Sequence, residues 1–440
     1  MKSDDHPTRR RFLAASSGAL VAGSLPGQDE KPAAAKLALH GGPKAVPGPA
    51  PKLVRWGKPE RDRLDAMIGQ DSLFYWKGPQ TTALIERFRG VCPLKHVMTC
   101  SSGTAALHIA AAAAGIAPGD EVITTPITDV GTVIGVIYQQ AVPVFADVGN
   151  STYNLDPADV ERRITPKTKA IIAVHLAGNP CDLTALKALA DRHRLVLIED
   201  CAQAWGATYR GKPVGTVGHI ACFSLQSSKH VTCGDGGVVA SGDDKFGPLL
   251  QRFGDKGFDR LGKTGLFDAF ATNYRMSEPQ AAVAAAQLDR LEAIAAKRAT
   301  LGSLLGEGIA GAPGVEPHEV RPDDRCTYWF YMLRLTPKGL RCDRAEFVKA
   351  LAAEGVPASA GYIPVPLYGN PVFQKHGFFA GHWPVKESGQ TSMDYTKVKC
   401  PESEAILKAC VRLTVHEAMT EEYVRSVAAA VRKVATHYAA

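Results

Sequence analysis

From about residue 95 onward, short apolar runs alternate with stretches whose apolar residues recur at helical spacing. The runs are His96–Cys100, Glu121–Thr125, Val142–Val148, Ala170–His175, Leu195–Asp200, Ile220–Leu225 and Gly237–Ala240. Runs this short read as strands, and their nearly continuous apolar character predicts burial on both faces. Between them, Thr104–Ala114, Gly131–Gln139 and Leu183–Arg194 carry the helical period. The alternation predicts an α/β sheet covered by helices on both sides.

Ser277-Glu278-Pro279-Gln280 then opens an alanine-rich segment, with Ser277 as N-cap and Gln280 placed to reach back to it. The pattern predicts one long helix running to about Leu305 and linking two domains. Beyond it, Tyr328–Leu335 reads as a strand and Arg344–Glu354 as a helix. Val424, Val427, Ala428, Val431 and Val434 mark one face of a terminal helix. The expected organisation is a leader and linker over 1–36, a large α/β domain over 37–305, and a smaller α+β domain over 306–440. The chain contains no internal repeat that would suggest a solenoid or propeller.

With 440 residues and 45% apolar content, the chain can bury a large core. The formal charge of +7 is spread along the sequence, and no stretch interleaves basic and aromatic residues as a nucleic-acid surface would. The ten cysteines form no close metal-type spacing, and Cys201 and Cys222 sit in apolar runs, so buried structural thiols are expected and no metal site. Thr8-Arg9-Arg10-Arg11-Phe12-Leu13, followed by the small and apolar run Ala14–Leu25, resembles a twin-arginine export signal. The run is too short for a lasting membrane anchor. Export to the periplasm is expected, and a cytoplasmic location if the signal is not used; a disordered basic leader is the plainer alternative.

The polar residues of chemical interest gather at the carboxyl ends of the expected strands, where ligands bind in open α/β sheets. Ser102, Gly103 and Thr104 lie where a strand gives way to a helix, so the free amides there suit either a phosphate or a simple helix cap. Asp200 ends a buried strand and needs a cation or several donors. The loop from Phe223 to Gly237 carries a hydroxyl, Ser224, and a lysine, Lys229, before glycines that let the chain reverse. A desolvated lysine can form a Schiff base.

These features belong to a wider pattern that resembles the DegT/StrS family of pyridoxal-phosphate-dependent sugar aminotransferases. It comprises Leu37-Ala38-Leu39-His40-Gly41-Gly42-Pro43, Ser102-Gly103-Thr104-Ala105-Ala106-Leu107, Thr152-Tyr153-Asn154-Leu155-Asp156-Pro157, Val174-His175-Leu176, Asp200-Cys201-Ala202-Gln203, the lysine loop, and Asn273-Tyr274-Arg275-Met276-Ser277-Glu278. The resemblance implies the fold-type-I architecture, with a mostly parallel seven-stranded sheet and a smaller C-terminal domain. It implies that Lys229 forms an internal aldimine with pyridoxal 5'-phosphate and shuttles the proton, and that Asp200 pairs with the ring nitrogen. Gln203 would lie near the ring hydroxyl, and Gly103, Thr104 and Ser224 would hold the phosphate. His175 would support catalysis near the cofactor, and Asn273 would reach the phosphate of a neighbouring subunit, giving a homodimer with shared sites. The implied reaction moves an amino group from glutamate or glutamine to a keto-sugar or keto-cyclitol.

One position departs from the family pattern. Where members carry an aromatic residue that stacks on the cofactor ring, this chain has Asp129, within Thr125-Pro126-Ile127-Thr128-Asp129-Val130-Gly131-Thr132. An acidic group over the ring would change its electronics, and it keeps open an exported cofactor-binding protein without transaminase activity, a sensor or scaffold. No motif supports a lyase or desulfurase. The sugar dehydratases of the family replace the lysine by histidine, and the retained Lys229 speaks against that branch.

Overall fold

The computed structural model describes residues 36–440 apart from 261, 263–266 and 268. The export signal expected in the first segment lies outside the described residues.

Ala35–Ala440 form one compact unit. Its main sheet contains β1 (His96–Cys100), β2 (Glu121–Thr124), β3 (Val142–Phe145), β4 (Thr168–Val174) and β5 (Val196–Asp200). A short hairpin, β6 (Thr208–Tyr209) and β7 (Lys212–Pro213), stands apart, and β8 (Ile220–Ser224) and β9 (Gly237–Ser241) complete the seven strands. The order is β1-β9-β8-β5-β4-β2-β3. β9 is antiparallel to both β1 and β8, whereas β8, β5, β4, β2 and β3 pair in parallel. β3, β8 and β9 are buried at every position, as their unbroken apolar sequences predict.

Helix Gly103–Ala113 packs on the sheet through Ala106, Ala110 and Ala111, which with Val122, Ile172, Ile198 and Val239 form one core cluster. On the other face Leu183, Leu186 and Ala190 of helix Leu183–His193 pack with Ile123, Ile171 and Leu197. Alternate residues of each strand thus serve opposite layers. The second sheet, of β10 (Val315–Glu316), β11 (Tyr331–Leu335), β12 (Ala358–Ser359) and β13 (Cys410–Leu413), is ordered β10-β11-β13-β12. Its core includes Val424, Val431 and Val434 of the terminal helix, together with Leu37 and Val46 from the start of the described chain.

The segment expected to be one long helix is two, Glu278–Leu288 and Leu291–Ile309. Arg290, at the junction, has φ −105° and ψ −3°. Its guanidinium bonds the Arg55 carbonyl and the Glu60 carboxylate at 2.8 and 2.6 Å, and Gln287 donates to the same two groups. The break is set by this anchor to the N-terminal arm, a partner more than two hundred residues away.

Glu278 ties the second half of the chain to the first. Fully buried, it accepts from the Gln80 and Thr81 amides at 2.8 Å each and from the Thr81 hydroxyl at 2.6 Å. It thereby caps helix Pro79–Val91 across the fold, where the helix dipole favours negative charge. Glu278→Ala strands these donors and is expected to cost about 2–3 kcal/mol, read as a lower urea midpoint with an unchanged slope. An unaltered midpoint would show that water replaces the carboxylate.

Candidate active site

The carboxyl ends of β1, β5 and β8 open on a cavity of about 320 Å³. Its walls include Gly103, Thr104, Asp200, Gln203, Ser224 and Lys229, with Thr128, Asp129, Thr132, Asp235 and Trp329. Six sequence-selected residues therefore meet in one place, brought there from three strand ends and the loop after β8.

At one end Ser102 caps helix Gly103–Ala113, its Oγ accepting from the Ala105 amide at 3.0 Å. Gly103 and Thr104 are the first two helical residues, so their amides have no acceptor within the helix. A Cβ on Gly103 would fall 2.6 Å from Ser224 Cβ. Only glycine lets the helix start approach β8 so closely, which places free amides and the Ser224 hydroxyl side by side.

Asp200 is buried, and its two oxygens accept from the Thr132 hydroxyl at 2.9 Å and the Ala202 amide at 3.1 Å. Thr132 Oγ1 lies 2.7 Å from Thr128 Oγ1. Since the Thr132 hydrogen is used on Asp200, Thr128 must be the donor to Thr132, and the two hydroxyls form a directed chain. Burial pushes the Asp200 carboxyl above its ordinary range, and the two donors offset only part of this. A cation in the cavity would find it poorly compensated.

Lys229 is buried and its pKa is brought down to about 8 by burial, against the opposing pull of Asp200 and Asp129. The Nζ lies 3.7 Å from the centre of the Trp329 ring and makes no hydrogen bond among the described residues. Arg55 from the N-terminal arm donates to the Lys229 carbonyl at 2.6 Å. Gln203 accepts from the Ala177 amide at 2.8 Å and donates to the Tyr362 hydroxyl at 3.3 Å, which fixes its amide in the wall.

Two selected residues do not reach the cavity. His175, fully buried, meets Glu199 Oε2 through Nε2 at 3.0 Å and accepts from the Cys181 amide through Nδ1 at 3.0 Å. Strand alternation explains its place: Glu199 and Asp200 point to opposite faces of β5, and His175 serves Glu199. The Glu199 carboxylate also accepts from the Gly215, Val217 and Gly218 amides. Burial alone would raise its pKa, and His175 and these amides reverse that and hold it below the usual range. Asn273 is exposed and lines no part of its own chain's cavity.

Asp129 does stand in the wall, where the family pattern would have an aromatic ring. Its Oδ1 is turned onto the Gly131 amide at 2.8 Å, at the start of helix Gly131–Tyr138. The carboxylate is thus committed to a turn. Sequence reasoning missed Thr128, Thr132, Trp329 and Arg55; the regular four-residue spacing of the two threonines, aimed at a strand-end aspartate, was the one available signal.

The residues fit pyridoxal phosphate: a buried lysine amine with no polar partner, a buried carboxyl lacking a cation, and a glycine cradle for an anion beside a hydroxyl. Lys229 is expected to be methylated by formaldehyde and cyanoborohydride with a rate half-maximal near pH 8, followed by peptide mass spectrometry. A midpoint close to 10, as for a solvated lysine, would contradict the buried placement.

The model of the DegT/DnrJ/EryC1/StrS aminotransferase family matches residues 58–432. GDP-perosamine synthase of Caulobacter vibrioides is 39% identical over 282 residues, 64% of this chain and 75% of that protein. A putative L-glutamine:3-amino-2,3-dideoxy-scyllo-inosose aminotransferase of Micromonospora echinospora is 35% identical over 360 residues, 80% of this chain and 84% of its own length. Among solved structures, the aminotransferase from Psychrobacter cryohalolentis superposes with a TM-score of 0.79 at 28% identity, covering 89% of this chain and 99% of that one. The chain belongs to the DegT/DnrJ/EryC1/StrS family of pyridoxal-phosphate-dependent aminotransferases.

Proposed function

We propose that this aminotransferase moves an amino group from glutamate or glutamine to a keto group on a sugar or cyclitol. The observation that carries the reading is the convergence of the Lys229 amine, the Asp200 carboxyl and the Gly103–Thr104 helix start on one cavity. Pyridoxal phosphate, when bound, supplies the electron-accepting ring through which an amino group is exchanged. The Gly103 and Thr104 amides with the Ser224 hydroxyl would hold the phosphate end. Asp200, fixed by Thr132 and Ala202, would pair with the cofactor's ring nitrogen and hold a proton on it. Lys229 is the attaching amine, and its lowered pKa lets it both take up and give back a proton near neutrality. Gln203, whose amide is already oriented by Ala177, would lie near the ring.

The acceptor class rests on the perosamine synthase and the inosose aminotransferase among the relatives, and the second of these names glutamine as donor. A cofactor-binding protein without activity gains no support from Asp129, whose Oδ1 is engaged by Gly131.

The same reading includes a homodimer. Asn273, exposed and outside its own cavity, would serve the site of a second copy. Beside it lies a groove of about 370 Å³ lined by Ile109, Tyr138, Phe253 and Phe270, the last fully exposed, together with His108, Gln139 and Thr272, which a second copy would cover. Export in folded form, from the paired Arg9 and Arg10, suits a protein loaded with a cofactor before transit, and would direct it toward free sugars or cyclitols.

An absorption spectrum with added pyridoxal phosphate is expected to show a Lys229-dependent band that moves to shorter wavelength on adding L-glutamine or L-glutamate. Binding without that movement would exclude both donors. Asp200→Asn should retain the band and slow the donor-driven change by roughly a hundredfold or more; an unaltered rate would remove Asp200 from the mechanism. Light scattering should give a dimer for the native chain and for Asn273→Ala, with cofactor affinity lowered about five- to tenfold in the variant. A monomer, or unchanged affinity, would contradict the shared site.

A further inference from the structure

A lysine that attaches a cofactor must also exist as a free amine, and a buried ammonium needs somewhere to stand. Asp200 is the obvious partner by charge, yet each of its oxygens is turned to one donor, Thr132 or Ala202, and no ion pair with Lys229 forms. The Lys229 Nζ stands instead over the Trp329 indole, 3.7 Å from the ring centre.

The indole is fixed on several sides. Its Nε1–H donates to the Ser228 carbonyl at 2.8 Å, one residue before the lysine, and its backbone amide donates to the Ala177 carbonyl at 2.9 Å. Thr327 donates to the Gly178 carbonyl at 3.1 Å, and its own carbonyl faces His230 Nε2 at 3.1 Å. Phe330 and Tyr362 pack against the ring with centroids 5.1 and 5.9 Å away. Tyr328, at φ 42°, and Ala177, at φ 57°, both hold left-handed backbone at this junction, a conformation that a side chain makes costly. The chain thus accepts local strain where it sets this ring against the lysine loop.

We propose that Trp329 is the resting place of the free Lys229 amine, a positioning residue that keeps the amine inside the cavity and sustains its protonated form. This rests on the reading of Lys229 as the attaching lysine. An indole face attracts a cation through its quadrupole but cannot take its proton or bind it as a carboxylate would. The amine is therefore held and remains available, between release from the cofactor and recapture. Besides the indole, the charges facing it are Asp200 from β5 and Asp129 from the loop before helix Gly131–Tyr138. His230 lies next in its own loop and Arg55 sits at its carbonyl.

The test is the pH midpoint for reductive methylation of Lys229 in the full chain freed of cofactor, in native protein, Trp329→Phe and Trp329→Leu. A leucine keeps the site apolar but removes the π face, so the midpoint should fall by about half to one unit. Phenylalanine retains a face and should fall by less. An unchanged or raised midpoint in Trp329→Leu, or an equal fall in both variants, would overturn the proposal. Because the assay reads the free amine, a midpoint that responds to Trp329 supports the resting place independently of any spectral band. A native chain without a Lys229-dependent band would overturn the attaching role itself, and with it the recapture step.

Discussion

Two ionisable groups, the Lys229 amine and the Asp200 carboxyl, lie buried in the wall of one cavity without pairing with each other, and much of the surrounding architecture answers that constraint. Buried charge is costly unless compensated. The chain does not neutralise the pair by bringing them together, which would leave neither free for a ligand. It gives Asp200 two fixed donors and gives Lys229 an aromatic face. Both groups then keep unspent capacity toward a molecule that brings a cation for one and a carbonyl for the other.

The sheet makes this separation possible. β5 carries adjacent carboxylates, and its alternation sends Glu199 into a shell of backbone amides with His175 and sends Asp200 to the cavity. One strand therefore supplies a structural anion and a chemical one. The short approach of Gly103 to Ser224 adds an anion cradle at the other end, and the Arg55 contact ties the lysine loop to the N-terminal arm. A change at any of these supports would act on the site through position rather than through direct contact.

The strands were legible because burial on both faces leaves an apolar run with little ambiguity, as in Val142–Phe145 and Ile220–Ser224. The cavity residues were legible because they sit at strand ends or in a distinctive loop. His175, expected near the cofactor in a supporting role, meets Glu199 outside the cavity lining, and a histidine just past a strand end gives no sign of which face it serves. The decisive clue was Glu199, a buried carboxylate directly after Val196-Leu197-Ile198 that had to find donors. Trp329 and Arg55 could not be found from spacing, since their partners lie about a hundred residues or more away. The helix break at Arg290 was hidden for the same reason, being imposed by Arg55 and Glu60.

Lys229, and no other lysine, is proposed to hold the cofactor. Borohydride reduction of the protein loaded with pyridoxal phosphate, followed by peptide mapping, tests it most directly. A phosphopyridoxyl group is expected on the Lys229 peptide alone. Label on another lysine with Lys229 unmodified, or scattered over the surface lysines, would contradict it.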